Sequence, residues 1–232
     1  MAKSRVVYVC QDCGSEQNKW AGQCPDCGAW NTLSQFVEAG AARSSGAARR
    51  GGYAGAVAEL QTLDQIDLAE VPRFSTGYSE FDRVLGGGVV PGSVNLVGGQ
   101  PGAGKSTLLL QVMCALSQHM EALYVTGEES LQQVALRAHR LGLPTDRLKM
   151  LAETSVESIL ATAAKLAPRV MVIDSVQVVH CEDVPSAPGG VAQVRESAAQ
   201  FTRFAKAGGA SMFLVGHVTK DGTLAGPKVL EH

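Results

Sequence analysis

Ten residues near the middle of the chain combine glycines with a lysine and two hydroxyl side chains. Residues 98–107 read GGQPGAGKST, which fits Gly-x-x-x-x-Gly-Lys-Ser, the pattern of a loop that binds phosphate groups. In such loops backbone N–H groups and the positive end of the following helix surround the anion. We expect Lys105 to reach the β- and γ-phosphates of ATP and Ser106 to bind Mg²⁺. The residues predicted to bind the nucleotide are Gly99, Gln100, Pro101, Gly102, Ala103, Gly104, Lys105, Ser106 and Thr107.

Acidic side chains follow two other segments of strand character. The apolar segment RVMVIDS (169–175) places Asp174 at a strand end, where a carboxylate can hold Mg²⁺ through its water shell; the alternative is a helix cap or turn former. The segment GEES (127–130) offers Glu128 and Glu129 after another strand. We favour Glu128 as the carboxylate that orients or deprotonates the attacking water, and Glu129 as a residue that stabilises the N-terminus of the next helix.

A histidine ends a further apolar strand, SMFLVGH, at His217. A single histidine is more often a structural residue than a reactive one. Its place in line with the other strand ends favours a second role, as a sensor of the γ-phosphate.

Four of the six cysteines form two Cys-x-x-Cys pairs near the N-terminus. Cys10, Cys13, Cys24 and Cys27 have the spacing of a closed, tetrahedral zinc site with a structural role. Iron of the rubredoxin type is chemically possible and less favoured, and a redox pair would need a βαβ setting that the sequence lacks. Trp20 and Trp30 lie within this segment and either shield it or stack on nucleic-acid bases.

Beyond residue 59, apolar segments of strand length alternate with segments of helical period. The predicted strands are 94–99, 122–127, 148–152, 169–174 and 211–217, and the predicted helices are 104–120, 130–141, 155–167 and 191–206. This alternation predicts an α/β fold, with a parallel sheet sandwiched by helices on both faces. Ligands of such sheets bind at the carboxyl ends of the strands, where the candidate residues above are expected.

Composition and charge describe a folded globular protein. Hydrophobic residues are 45% and charged residues 18% of the chain, and the formal net charge is −2. Without a basic excess, any contact with DNA must be local. No apolar run approaches the ~18 residues needed to span a bilayer, so we expect a cytoplasmic protein without a membrane partner. We divide the chain into a zinc ribbon (1–36), a linker rich in Ala, Gly, Ser and Arg (37–58) and a P-loop domain (59–232).

Several longer segments carry a resemblance to a known family. KWAGQCPDCGAWNTL, FSTGYSEFDRVLGGGVVPGSVNLVGGQPGAGKSTLLLQ, YVTGEES, VIDSVQ, SAPGGVAQVRE and FLVGHVTKDG closely resemble the RadA/Sms family of bacterial DNA repair proteins, and the match covers nearly the whole chain. The resemblance implies a RecA-like P-loop NTPase core, incomplete at its C-terminus because the family's next motif and its C-terminal domain would follow residue 232. It also implies a DNA-stimulated, homo-hexameric ATPase that promotes branch migration with a RecA-type recombinase.

Roles of individual residues follow from the same resemblance. Lys105, Ser106 and Asp174 would hold Mg-ATP, and Glu128 would be the catalytic carboxylate. Residues 179–194 and 219–228 would form loops facing DNA, with Lys220 and Lys228 as candidate phosphate contacts and Arg195 as a weaker one.

Two other functions remain open from the sequence. A KaiC-like regulatory ATPase shares the paired glutamates, although the zinc ribbon argues against it. A non-catalytic zinc-ribbon adaptor with a vestigial nucleotide site is the other alternative.

Overall fold

The structure is a computed structural model that describes residues 5–10, 13–38, 62, 72–208 and 210–218. The N-terminal strands are β1 (Arg5–Cys10), β2 (Glu16–Gln17) and β3 (Leu33–Glu38). They form an antiparallel sheet in the order β2-β1-β3. Strand β3 runs two residues beyond the ribbon boundary placed at residue 36, and residues 39–58 of the predicted linker lie outside the described residues.

The larger sheet has the parallel arrangement that the alternating pattern predicts. Its strands are β4 (Val94–Gly99), β5 (Ala122–Thr126), β6 (Lys149–Ala152), β7 (Val170–Asp174) and β8 (Ser211–His217). They pair in the order β4-β8-β7-β5-β6, and every pair is parallel. The α/β prediction is therefore confirmed, and each predicted strand agrees with an observed one to within about a residue at either end.

Helices follow most of these strands. Their bounds are α1 (Ser79–Val84), α2 (Lys105–Ser117), α3 (Leu131–Arg140), α4 (Val156–Leu166) and α5 (Val191–Gly208). The four predicted helices correspond to α2–α5, whereas α1 was not predicted. Helix α1 has only six residues and buries none of them, so it lacks the apolar period that identifies a longer helix. None of the described helices has the length and hydropathy needed to cross a membrane.

Two apolar layers enclose the parallel sheet, one on each face. Alternate residues of β7 divide between them: Val170 and Val172 pack in the layer that contains α2, and Met171 and Ile173 in the layer that contains α4 and α5. Strands β5 and β8 divide in the same way, because successive side chains of a strand point to opposite faces. Burial on both faces explains why the sequence shows continuous apolar runs rather than polar alternation.

The register of the strands brings the candidate residues to one edge of the sheet. Gly99 at the end of β4 pairs with His217 on β8, and Thr126 at the end of β5 pairs with Asp174 on β7. Because all five strands are parallel, these four residues lie at the carboxyl edge. This is the edge at which the turns into α2 and α3 begin.

Candidate functional site

The phosphate-binding motif forms the turn between β4 and α2. Gly102 and Gly104 have φ of 81° and 85°, which is the left-handed region that favours glycine. Gly104 is the N-cap of α2, so the first N–H groups of this helix are free of intrahelical partners at the loop. The Lys105 Nζ atom donates to the carbonyl oxygens of Gly99 at 2.7 Å and Gln100 at 2.9 Å. The side chain of Lys105 therefore packs against the backbone of the phosphate-binding loop.

The other predicted loop residues line the same turn. Exposed residues are Gln100, Pro101, Gly102, Ala103 and Gly104, and half-buried residues are Gly99, Ser106 and Thr107. Exposed backbone around a buried lysine gives an anion direct access to the loop amides.

Asp174 ends β7 on the sheet face that packs against α2. Its Oδ2 atom accepts a hydrogen bond of 2.5 Å from the hydroxyl of Tyr124 on β5. Burial of the phenol raises the pKa of Tyr124 far above its ordinary value, and the negative charge of Asp174 adds to this effect. Tyr124 therefore remains a neutral donor throughout the range in which proteins are folded. Asp174 and the first turn of α2, which carries Ser106, lie on the same side of the sheet.

Glu128 follows β5 and is held by two neighbouring strands. The hydroxyl of Ser175 donates to Glu128 Oε1, and His217 Nε2 lies 2.9 Å from the same oxygen. Burial alone would raise the pKa of Glu128. The hydrogen bonds from Ser175 and His217, with the positive charges of His217 and Lys105, outweigh burial and lower the pKa below its ordinary value. The structure thus brings an ionised carboxylate, the loop lysine and the histidine of β8 into one site.

Glu129 points away from this cluster, although it is the next residue in the chain. Both of its carboxylate oxygens accept from Arg137 Nη2, two turns along α3. Its backbone N–H donates to Thr126 Oγ1 at 3.1 Å, and it precedes Ser130, the N-cap of α3. The two glutamates therefore have different hydrogen-bond partners, although Arg137 also lies within the electrostatic influence of Tyr124 and Asp174.

His217 lies between the phosphate-binding loop and Glu128. It ends β8 level with Gly99, and the next residue, Val218, donates its N–H to Gly99 O at 3.2 Å. Its backbone carbonyl accepts from the side chain of Gln177, just after β7, at 3.4 Å. The histidine thus pairs with the last residue of β4 and contacts the segments that follow β5 and β7.

The segments predicted to face DNA are only partly described. Lys220, Lys228 and the whole of 219–228 lie outside the described residues. Gln193 stabilises the described segment 179–194. Its side chain forms hydrogen bonds with the backbone of Cys181, Val184 and Ser186. Arg195 lies exposed on the first turns of α5.

The four N-terminal cysteines converge as their spacing predicts. Their sulfur atoms all lie within 4.8 Å of one another. The distance is 3.7 Å between the sulfurs of Cys10 and Cys27, and 3.6 Å between those of Cys13 and Cys24. A tetrahedron of four Zn–S bonds of about 2.3 Å has edges of roughly 3.8 Å, so the sulfur positions fit a zinc ion. The segment is a zinc ribbon.

The thiols of this cluster also influence one another. Hydrogen bonds from the Ser15 hydroxyl and from backbone amides lower the pKa of Cys24 to about 6. For Cys27 the backbone hydrogen bond from Ala29 lowers the pKa, but burial and the neighbouring cysteines outweigh it and raise the pKa to about 12. Four adjacent thiols cannot all ionise alone, and a bound cation supplies the missing charge.

The two tryptophans of the ribbon are largely exposed. Trp20 is 60% exposed and Trp30 70% exposed, and both indoles lie beside Gly22. Of the two roles considered for them, exposure agrees with contact to another molecule.

Three residues of the site escaped the sequence analysis: Tyr124, Ser175 and Arg137. Each acts by contact with a predicted residue that is remote in sequence or on another element. For Tyr124 a signal existed, because it lies two residues before a strand end and so on the same face as that end.

Comparison with known proteins agrees with this geometry. Residues 73–223 match the family described as AAA domain, and residues 8–35 match the family described as Rubredoxin metal binding domain. The chain is 61% identical over 235 residues to DNA repair protein RadA of Escherichia coli (strain K12), a match that covers 100% of this chain and 51% of the relative. It is 47% identical over 236 residues to DNA repair protein RadA of Bacillus subtilis (strain 168), with the same coverage.

The chain thus spans about half the length of the curated relatives that it matches. Within that half, the AAA-domain match includes the residues of the parallel sheet, and the metal-binding match includes the four clustered cysteines. The two matched regions occur in the order that the motifs predict, and identity to the relatives runs through both. The chain belongs to the AAA-domain family, and over its whole length it is similar to about half of each of the proteins named DNA repair protein RadA.

Proposed function

We propose that this chain is an ATPase of DNA repair, which hydrolyses ATP at the carboxyl edge of its parallel sheet. The observation that carries the proposal is the placement of Glu128. Its carboxylate is held between Ser175 and His217 and lies within the electrostatic influence of Lys105. Phosphoryl transfer to water requires a loop that binds the phosphates, a carboxylate that activates the water and a polar residue that holds the metal. The phosphate-binding loop, Glu128 and Asp174 lie together at this edge of the sheet.

The loop and Asp174 would bind the nucleotide. The amides of the first turn of α2 and the Lys105 ammonium would neutralise the phosphates. Ser106 and Asp174 would hold Mg²⁺, which neutralises charge on the β- and γ-phosphates when bound. Two observations support this pair: both residues offer oxygen atoms, the ligands that Mg²⁺ prefers, and both lie on the α2 side of the sheet.

Glu128 would orient the attacking water and accept its proton. A carboxylate whose pKa is lowered is ionised at neutral pH, as a general base must be before the reaction. His217 shares the same carboxylate oxygen, so a γ-phosphate that attracts the histidine would also change the partners of Glu128. This gives the histidine the role of a γ-phosphate sensor.

Action on DNA extends the proposal beyond the described residues. The relatives are named DNA repair proteins, which supports DNA as the partner over a KaiC-like or adaptor function. In the complete protein we propose a homo-hexamer that processes recombination intermediates by branch migration, together with a RecA-type recombinase. Lys220 and Lys228 would contact DNA phosphates.

The proposal is tested by measuring ATP hydrolysis with and without single-stranded DNA. The assay compares this chain with one extended to the length of its relatives. We expect DNA to stimulate the longer chain, and the stimulation to weaken as salt rises. A hydrolysis rate that is indifferent to DNA in the longer chain contradicts the DNA-repair function.

Two matched substitutions test the site itself. Glu128→Gln should lower kcat by about 100-fold or more, because it removes the general base, and should leave ATP binding intact. Glu196→Gln is the control, because this glutamate pairs with Arg203 on α5 and not with the cluster; its kcat should be unchanged. Equal losses of kcat in the two variants would remove Glu128 from the catalytic role.

A further inference from the structure

Tyr124 is a buried polar residue at the centre of an apolar layer. It is 1% exposed and packs in the layer of β5, β7 and α2. A hydroxyl group in such a place costs free energy unless it has a hydrogen-bond partner. Phenylalanine would fill the same space without that cost, so the phenol oxygen calls for an explanation.

The partner of this hydroxyl group is the carboxylate of Asp174. Thr126 pairs with Asp174 across β5 and β7, and Tyr124 lies two residues before Thr126. Side chains two residues apart point to the same face of a sheet, so the phenol extends along the α2 face toward the end of β7. The hydrogen bond from Tyr124 Oη to Asp174 Oδ2 is 2.5 Å long.

The rest of the Asp174 carboxylate remains available. Within the part of the chain that the structure describes, Tyr124 is the only side chain that donates a hydrogen bond to this carboxylate. Asp174 is 8% exposed, so solvent reaches it only at the edge of the sheet. Oδ2 of Asp174 is therefore bound to the buried phenol of Tyr124. Oδ1 has no hydrogen bond from any of the described side chains.

We propose that Tyr124 is a positioning residue for Asp174, whose phenol fixes Oδ2 so that Oδ1 is presented to the water shell of Mg²⁺. This rests on the proposed function, in which Asp174 holds the metal. An aspartate rotates broadly about its last torsion, and a hydrogen bond to one oxygen removes that freedom before the metal binds. Residues that orient metal-binding groups in this way typically change metal affinity by about 10- to 100-fold.

The test is the dependence of ATP binding on Mg²⁺, followed with a fluorescent ATP analogue titrated with MgCl₂. Tyr124→Phe should raise the Mg²⁺ concentration at half-saturation by about tenfold or more. With EDTA present, the same variant should bind the analogue as the unsubstituted chain does. Tyr78→Phe is the control, because Tyr78 is a half-buried tyrosine that packs against the same layer, and its titration should be unchanged.

The outcomes separate this inference from the proposed function. If the unsubstituted chain binds ATP in a Mg²⁺-dependent way and Tyr124→Phe gives the same titration, the positioning role is overturned and the proposed function stands. If Mg²⁺ has no effect on ATP binding by the unsubstituted chain, both are overturned.

A second measurement needs no substitution at Tyr124. The chain has four tyrosines, Tyr8, Tyr53, Tyr78 and Tyr124. With the first three replaced by phenylalanine and 3-fluorotyrosine incorporated, Tyr124 gives the single fluorotyrosine signal in the ¹⁹F spectrum. We expect this signal to shift when Mg²⁺ is added to the ATP-bound chain, and not with ATP and EDTA. A signal that ignores Mg²⁺ overturns the proposal.

Discussion

At the scale of single residues, Glu128 and Glu129 differ because of what reaches them from other elements. Glu128 accepts from Ser175 after β7, whereas Glu129 is neutralised by Arg137 on α3. After burial, which acts in the opposite direction, the Ser175 hydrogen bond is the largest influence on the pKa of Glu128. A hydroxyl group one residue beyond Asp174 thus helps to keep ionised a carboxylate that follows the neighbouring strand β5.

Replacing Ser175 by alanine should therefore raise the pKa of Glu128. In the folded chain this pKa is lowered, so the carboxylate stabilises the fold above its unfolded pKa of roughly 4.3. That stabilisation is lost as pH falls through the lower, folded value. Ser175→Ala should move the loss to higher pH. The measurement is a ¹³C NMR titration of the Glu128 carboxyl group in both chains.

The control for this titration is Ser155→Ala. It removes a hydroxyl group from the N-cap of α4, on an element that does not contact Glu128. The Glu128 titration should then match that of the unsubstituted chain. An unchanged pKa in Ser175→Ala would mean that His217 and Lys105 alone lower it.

At the scale of elements, the start of α2 decides whether the loop can hold a phosphate. Gly104 is the N-cap with φ of 85°, and a Cβ atom added there would meet nothing within 4 Å. The cost of a side chain at this position is therefore conformational and not steric. The left-handed region costs about 1–2 kcal/mol for an L-residue.

We expect Gly104→Ala to lower the free energy of unfolding by about 1–2 kcal/mol and to weaken ATP binding as the loop relaxes. Thermal unfolding and nucleotide titration measure the two effects. Gly208→Ala at the end of α5 is the matched control, since it also has open space around the added Cβ but no left-handed φ. Its stability should be unchanged or higher by about 0.5 kcal/mol. Equal effects at both glycines would contradict the conformational argument.

The elements themselves were largely predictable, because burial on both sheet faces leaves a strong pattern in the sequence. The strands of the parallel sheet lie where continuous apolar runs occur. Helix α2 ends at Ser117, before the predicted residue 120, and α5 continues to Gly208, past the predicted 206. The strands of the ribbon were not predicted, because a segment of this size depends on a bound metal more than on a buried apolar face.

The candidate site was predictable at strand ends and not across strands. Lys105, Asp174 and His217 end or begin elements, and parallel pairing alone brings such positions to one edge. The bonds from Tyr124 to Asp174 and from Ser175 to Glu128 depend instead on register between β5 and β7. Register is a property of the assembled sheet, so the sequence pattern did not reveal these contacts.

At the scale of the whole molecule, the ribbon and the parallel sheet have separate apolar clusters. The ribbon cluster contains Cys10, Cys24 and Leu33, and two of these three residues belong to the four-cysteine cluster that could hold a metal ion. A segment this small rarely folds without a metal or disulfide. The sheet has two large apolar layers of its own.

Removal of zinc should therefore unfold the ribbon and spare the nucleotide site. We expect Cys13→Ser to reduce bound zinc and to make residues 5–38 sensitive to proteases, with ATP binding unchanged. Zinc content, limited proteolysis and nucleotide titration measure the three effects. Cys114→Ala is the control, because Cys114 is a buried residue of α2 outside the cysteine cluster, and this variant should keep its zinc. Loss of ATP binding together with zinc would show that the two parts fold as one unit.

The order of the strands has a consequence for how the protein is made. Strand β4, which carries the phosphate-binding loop, pairs with β8 and lies at one end of the described sheet. Val94 pairs with Met212. Strand β4, the first strand of the described sheet to leave the ribosome, therefore cannot pair until β8, the last strand of that sheet, has been made. Until β8 emerges, β4 lacks its hydrogen-bonded partner strand, and the phosphate-binding loop is not held in place. Nascent chains halted before residue 211 should therefore be unable to retain nucleotide.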